Sequence, residues 1–346
     1  ALTNFVISSS ILSDFTDSKV DFEEIKNFYK SSPKPFNEQR PINIAMSSVY
    51  SRLSDYKGML FHLEKVIKSG DFIPYDLCNY GYWRCFDKNW KQSDFFEYGK
   101  FVEKNLAEYP QNQLVKISNI KNKKINLGIL SADLKNDHSI AFFLKTILSN
   151  YNKDKVEIYL FSNQINIDSI STEISGLVHK TIDISKLNDL NTLNKIRQFN
   201  LDIMIDIMGY TSRNRIGLFK NRVAKKQVLW MGYCNTSGLK NMDYIIADRN
   251  LIYENEKDSY SEQVIYLPEI WNTHCGFDFK RKEAAPPLIK NNYITFGSFN
   301  NLAKINENVI DCWSNILKKV KDSKLIIKCS DDKKKFDRIE NLMKKK

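Results

Sequence analysis

Short apolar runs that end in small or polar residues, separated by stretches of helical periodicity, fill the middle of this chain. The runs cover residues 125–131, 156–161, 202–208, 227–231, 244–247 and 264–267, with helical patterns at 139–150, 186–199 and 213–220. A strand that is apolar throughout, instead of alternating, is buried on both faces. Burying both faces requires a parallel sheet with helices above and below. This pattern constrains the fold more than any other feature and predicts an α/β architecture with a Rossmann-like parallel sheet. In such sheets ligands bind beyond the carboxyl ends of the strands, so the residues just after each run are the candidates for function.

The flanks read differently. Residues 1–118 are mostly helical in pattern, and 43–69 carry apolar positions at three- and four-residue spacing with a polar break at Ser54-Asp55. That is a helical hairpin, similar to one degenerate tetratricopeptide (TPR) unit, which cannot bury its apolar face alone. Aromatics crowd 75–96, among them Trp83, Trp90 and Phe95, and are expected to form an interdomain core in preference to a ligand platform. After a proline-containing linker at 284–287 comes a strand at 293–296, a helix at 306–320 and a strand at 324–328, the opening of a second α/β domain. The expected domains are therefore a helical neck (1–118), a first Rossmann-like domain (119–285) and part of a second (286–346). The chain starts at Ala1 and ends in three lysines, and is expected to be a piece of something longer.

Bulk properties exclude several classes. A chain of 346 residues, 42% hydrophobic and 27% charged, is ordinary for a soluble multidomain protein. Its apolar runs fall far short of the roughly 20 residues of a membrane helix, and no signal-peptide pattern opens the chain, so a cytoplasmic protein without a membrane partner is expected. The net charge of +11 invites a nucleic-acid partner. The lysine clusters at 121–124, 333–335 and 344–346 fall in expected loops or at the end, however, and no RNA-binding or zinc-finger spacing occurs. The same charge suits a crevice for a diphosphate. None of the six cysteines forms a Cys-x-x-Cys pair, and Cys312 and Cys329 lie in apolar runs, which predicts small buried side chains in a reducing compartment. The four histidines have no metal-ligand spacing, so no metal site is expected.

Four places stand out at strand ends. Asp133 and His138 follow the first run, where an imidazole beside a helix start can meet a phosphate; from spacing alone, capping of the turn by Asp133 and of the helix by His138 is the default explanation. Gly209-Tyr210-Thr211 follows 202–208, and Met231-Gly232-Tyr233 closes 227–231; each combines close backbone approach with hydroxyls, and each is also plain turn chemistry. Lys304 precedes Asn306, a good N-cap, and a lysine beside a helix N-terminus can neutralise a diphosphate. No dinucleotide fingerprint and no P-loop pattern is present.

Five ordered blocks resemble the catalytic region of the O-GlcNAc transferase and SPINDLY-like family of GT-B glycosyltransferases. They are INLGILSADLKNDHSIAFF at 125–143, DIMIDIMGYTSRNRIGLFKNR at 202–222, QVLWMGYCNTSGLKNMDYIIAD at 227–248, YSEQVIYLP at 260–268 and TFGSFNNLAKINENVIDCWSNILKKVKDSKL at 295–325. The resemblance implies inverting transfer of a sugar, commonly GlcNAc, from a UDP-sugar to Ser or Thr hydroxyls of a protein or peptide, with no cofactor and no essential metal. It implies that His138 reaches the donor diphosphate and sugar and that Asp133 accepts a proton. Asn301 and Lys304 would bind the uracil and diphosphate end, Tyr210 would stand near donor and acceptor, and Met231-Gly232 would bring backbone close to the sugar. The chain departs from the family in several places. The Asp133-to-His138 gap is one residue longer than usual, Asn301 replaces Gln, Ala303 replaces an aromatic, and Cys234-Asn235 replace Pro-Gly. No His-Thr-Thr segment for the uridine follows 324–328, which predicts a half-built nucleotide site and a chain inactive by itself. An N-linking transferase and a non-catalytic interaction scaffold are the competing readings.

Overall fold

The computed structural model describes residues 22–32, 38–52, 55–109, 124–274, 276, 284–328 and 333–345. The chain divides into two compact units, Ile73–Phe277 and the segments on either side of it.

The larger unit is built on one seven-stranded sheet, with β1 (Ile125–Ser131), β2 (Val156–Ser162), β3 (Lys180–Asp183), β4 (Ile203–Asp206), β5 (Lys226–Leu229), β6 (Tyr244–Ala247) and β7 (Gln263–Tyr266). Its order is β3-β2-β1-β4-β5-β6-β7, and every neighbouring pair is parallel. The central strand β1 is buried at five of its seven positions, as a strand covered on both faces must be. On one face Ile129, Ile158, Leu160, Ile205 and Val228 pack against Ile140, Ala141, Leu144 and Leu148 of a helix at Ser139–Leu148 and Ile170 and Ile174 of a helix at Ser169–Leu177. Numbered in chain order after five helices described below, these are α6 and α7. A further helix α8 (Asp189–Arg197) is capped by Asn188, whose side chain accepts Asn191 N–H at 2.9 Å.

Helices α4 (Pro74–Arg84) and α5 (Gln92–Asn105) belong to this unit. The aromatic segment packs between them: Trp90 meets Tyr80, Phe95 and Tyr98 with ring centroids 5.0–5.8 Å apart. The Arg84 guanidinium lies over Tyr80 and Trp90. Gly81 abuts the Tyr210 ring and Gly99 abuts Gly238, so both helices touch loops at the carboxyl end of the sheet.

The other unit holds helices α1 (Phe22–Ser31), α2 (Arg40–Arg52) and α3 (Tyr56–Ser69), and a strand–helix–strand. The hairpin of α2 and α3 is as expected: Asp55 caps α3, its carboxylate accepting Gly58 N–H at 2.9 Å, while Ser54 lies outside the described residues. The strand–helix–strand is β8 (Thr295–Ser298), α11 (Glu307–Lys319) and β9 (Lys324–Ile327), with β8 and β9 parallel. The short helices α9 (Gly217–Lys220) and α10 (Pro287–Asn291) complete the numbering with α12 (Lys333–Lys344).

Four expectations change. The lysines at 333–335 open helix α12 instead of lying in a loop; Ile339 of α12 is buried with Ile305 and Ile310. Cys312 is exposed, because Ile310 and Ser314 face the core and a residue two positions away on a helix points elsewhere. The helix expected from Arg213 begins only at Gly217, since Arg213 has φ +60°, outside the helical region. Strand β3 and helix α7 are additions to the expected elements; β3 is a four-residue edge strand with one buried side chain, too polar to read as apolar. Among the described residues no helix is long and apolar enough to cross a membrane.

Candidate active site

Strand order reverses direction between β1 and β4, which makes their carboxyl ends the topological switch point of the sheet. The loops leaving these two strands, joined by the one after β5, carry five of the seven candidate residues.

The loop after β1 places the Asp133 carboxylate against His138, with Oδ2 3.7 Å from Nε2. This is an ion-pair distance, too long for a hydrogen bond. The His138 Nδ1 accepts Ile140 N–H at 3.4 Å, so the imidazole caps α6 as well. A neutral imidazole whose Nδ1 accepts carries its proton on Nε2, the atom turned toward Asp133. The helix cap expected of His138 is therefore present, and its Nε2 remains turned toward Asp133. Burial holds the Asp133 carboxyl above the usual carboxylate range, against the opposing pull of His138, Lys135 and Arg213. The loop is stapled from β2's side: Gln164 donates Nε2–H to Leu134 O at 2.6 Å, and Asn136 N–H donates to Asp168 at 2.7 Å.

The loop after β4 is organised by Asp206, fully buried, whose two carboxylate oxygens accept Met208 N–H at 3.0 Å and Gly209 N–H at 3.1 Å. Burial nevertheless pushes this carboxyl up to about 7. Gly209 takes φ +55°, and a Cβ there would strike Tyr233. Tyr210 is 3% exposed, its hydroxyl donating to Ser237 O at 2.7 Å and its ring lying 5.0 Å from that of Tyr233. Its hydroxyl is thus engaged in holding the β4 and β5 loops together. Arg213, two residues on from Thr211, is exposed and fixed through its carbonyl, which accepts Asn163 Nδ2–H at 2.9 Å.

Beyond β5, Gly232 N–H donates to Trp230 O at 3.0 Å around Met231, which has φ +73°. This γ-turn with a left-handed, non-glycine centre is a rare and strained form. Gly232 has no substitute here, since a Cβ would sit 1.9 Å from Ile207 O. The next residues are clamped by buried Glu262, which accepts Thr236 Oγ1–H at 2.8 Å, Ser237 N–H at 2.7 Å and the Ser237 hydroxyl.

Asn301 and Lys304 lie in the other unit, on the turn after β8. The Asn301 side chain accepts Ala303 N–H at 3.0 Å, and exposed Lys304 reaches Asn300 Oδ1 at 3.4 Å. Asn306 caps α11 as predicted, accepting Val309 N–H at 3.1 Å. Lys304 therefore stands at the positive end of a 13-residue helix.

Sequence reasoning passed over Asp206, Arg213 and Glu262. Asp206 had a signal, an acid closing an otherwise apolar strand; the left-handed backbone of Arg213 had none. Among the described residues no group of three or more His, Cys, Asp or Glu is arranged to hold a metal.

A doubly wound parallel sheet with a carboxylate and an imidazole side by side at its switch point has the architecture in which α/β domains hold ligands. The family model for glycosyl transferase family 41 matches residues 98–276, a little over half of the chain, and the protein belongs to that family. Relatives include the "probable UDP-N-acetylglucosamine--peptide N-acetylglucosaminyltransferase SPINDLY" of Solanum lycopersicum, 31% identical over 64% of this chain and 24% of that protein. The SPINDLY protein of Hordeum vulgare is 30% identical over 67% of this chain and 25% of its own length. The chain thus spans about a quarter of these relatives. A solved O-GlcNAc transferase mutant of Thermobaculum terrenum superposes with a TM-score of 0.80 at 18% identity, covering 89% of this chain and 59% of that one. The fold is GT-B-like.

Proposed function

We propose that this chain carries catalytic machinery of a UDP-sugar-dependent protein glycosyltransferase that moves GlcNAc to Ser or Thr hydroxyls with inversion. The observation that carries the reading is the Asp133–His138 pair at the β1/β4 switch point of a family 41 chain. The relatives' names supply the donor and the peptide acceptor.

In this reading the acceptor oxygen attacks the anomeric carbon from one face while the bond to the diphosphate breaks on the other, and no metal is required. Asp133 takes the acceptor proton. Burial has already raised its proton affinity toward the operating range, which is what a general base needs. His138, its tautomer set by the Ile140 N–H, presents Nε2–H beside it. Lys304, at the N-terminal end of α11, takes up the charge that develops on the departing diphosphate.

The test is incubation of the full-length protein with UDP-GlcNAc and peptides carrying either Ser/Thr or Asn, read by mass spectrometry, with the product anomer assigned by NMR. Inverted product on Ser or Thr is expected, reduced roughly 10²–10⁴-fold by Asp133→Asn. Product on Asn alone, or retained configuration, would refute the reading; binding of donor without any product would favour the scaffold.

A further inference from the structure

Asn163, just past β2, ties the loop after β1 to the loop after β4. Its backbone N–H donates to Ser131 O at 2.8 Å, and its Nδ2–H donates to Arg213 O at 2.9 Å. The Ser131 hydroxyl in turn accepts Asp133 N–H at 3.0 Å. The Arg213 backbone is thus pinned, through one side chain, to the strand end that carries Asp133. Asn214 N–H and Nδ2–H both donate to Thr211 O, at 3.3 Å and 2.7 Å, and close the turn in which Arg213 takes its φ of +60°. A left-handed backbone at a residue other than glycine persists only where its surroundings fix it, and these bonds do so.

The Arg213 side chain is exposed, and its charge acts on Asp133. Three groups oppose the effect of burial on that carboxylate: His138, Lys135 and Arg213. His138 caps α6 and faces the carboxylate at 3.7 Å, while Lys135 is paired with Asp137 at 3.5 Å. Among the described residues no carboxylate lies within ion-pair distance of the Arg213 guanidinium. A permanently charged fork of N–H donors, held beside the base and without an ion-pair partner there, suits an incoming carboxylate, which it can grip through two parallel hydrogen bonds.

We propose that Arg213 sets acceptor specificity, pairing its guanidinium with an Asp or Glu side chain close in sequence to the Ser or Thr that is modified. The inference rests on the reading of Asp133 as the group that takes the acceptor proton. Inversion puts the base and the departing diphosphate on opposite faces of the anomeric carbon, so a cation beside the base stands on the acceptor's side. An acceptor hydroxyl at Asp133 brings its flanking residues along at about 3.3–3.6 Å per extended residue. The first few of them are within reach of an arginine side chain anchored at the neighbouring strand end.

The test uses the full-length protein, UDP-GlcNAc and pairs of peptides that differ only in Asp or Glu against Asn or Gln, placed in turn at each position near the Ser or Thr. The acidic member of at least one pair should be glycosylated with a kcat/KM roughly three- to tenfold higher, and the preference should shrink as salt is raised. Arg213→Asn, which accepts a left-handed backbone readily, should bring the ratio to about one, while Arg213→Lys, which keeps the charge but not the fork, should retain part of it. Equal rates within every pair, or a preference that survives Arg213→Asn, overturn this inference and leave the proposed function standing. So does a roughly tenfold loss of UDP affinity in Arg213→Asn by calorimetry, which would assign the guanidinium to the donor. No product on any Ser or Thr peptide overturns both.

Discussion

Asp206→Asn should change the pH dependence of stability, and the sign follows from the site. The parent carboxylate accepts two backbone N–H groups, but complete burial outweighs them and moves it from 3.8 to about 7. Because the folded value lies above the unfolded one, the native state holds a proton that the unfolded chain has already released. Stability is therefore full below about pH 4 and falls by about 1.4 kcal/mol per pH unit up to about 7. It levels off above that with a loss on the order of 4 kcal/mol. An amide of the same shape does not ionise and escapes this loss. Its single oxygen satisfies only one N–H, however, and leaves the other facing an NH₂ group, which costs about 1–3 kcal/mol. The variant should be the less stable protein near pH 4 and the more stable one at pH 8, by about 1–3 kcal/mol in each direction. Urea unfolding across this range, followed by tryptophan fluorescence, would show the crossing. Four of the five tryptophans lie within Ile73–Phe277, so the signal reports on the right unit. Other titrating groups cancel when parent and variant are compared at each pH. A stability difference that does not vary with pH would refute the reasoning.

Three further outcomes follow from single contacts. Gly232→Ala drives a methyl to 1.9 Å from the Ile207 carbonyl oxygen, and backbone cannot yield cheaply; a loss of about 3 kcal/mol or more is expected, and an unchanged melting temperature would sink the account. Tyr210→Phe removes the 2.7 Å bond to Ser237 O and should cost about 1–1.5 kcal/mol in denaturant unfolding; a neutral result would mean the hydroxyl is not what joins the two loops. Lys304→Ala should weaken UDP binding about tenfold by calorimetry, more at low salt than at high, and equal affinity would remove Lys304 from the diphosphate.

Much of the fold is legible in the order of the amino acids, because it depends on local periodicity. The apolar run 125–131 is strand β1 residue for residue, and 244–247 is β6. Asn306 caps its helix and Asp55 divides the hairpin, since a cap needs only a short polar side chain within three residues of a helix start. The position of Asp133 and His138 after the first buried strand is equally readable. Where the signal is weak the reading fails, as at β3, whose four residues KTID bury one side chain.

The sequence by itself determined that these strands are buried on both faces, that helices cover them, and which residues follow each strand. Only the tertiary structure decided the order β3-β2-β1-β4-β5-β6-β7, and with it that the loops after β1 and β4 leave neighbouring strands at the switch point. It also decided that Tyr210 donates to Ser237 O, that Met231 adopts a left-handed turn, and that a strap from the far edge carries His274 to Phe142. The physical reason is range. Periodicity and capping act between residues a few positions apart, whereas strand order, burial of a carboxylate and the path of a strap depend on contacts between residues dozens to more than a hundred positions apart, which no local pattern encodes.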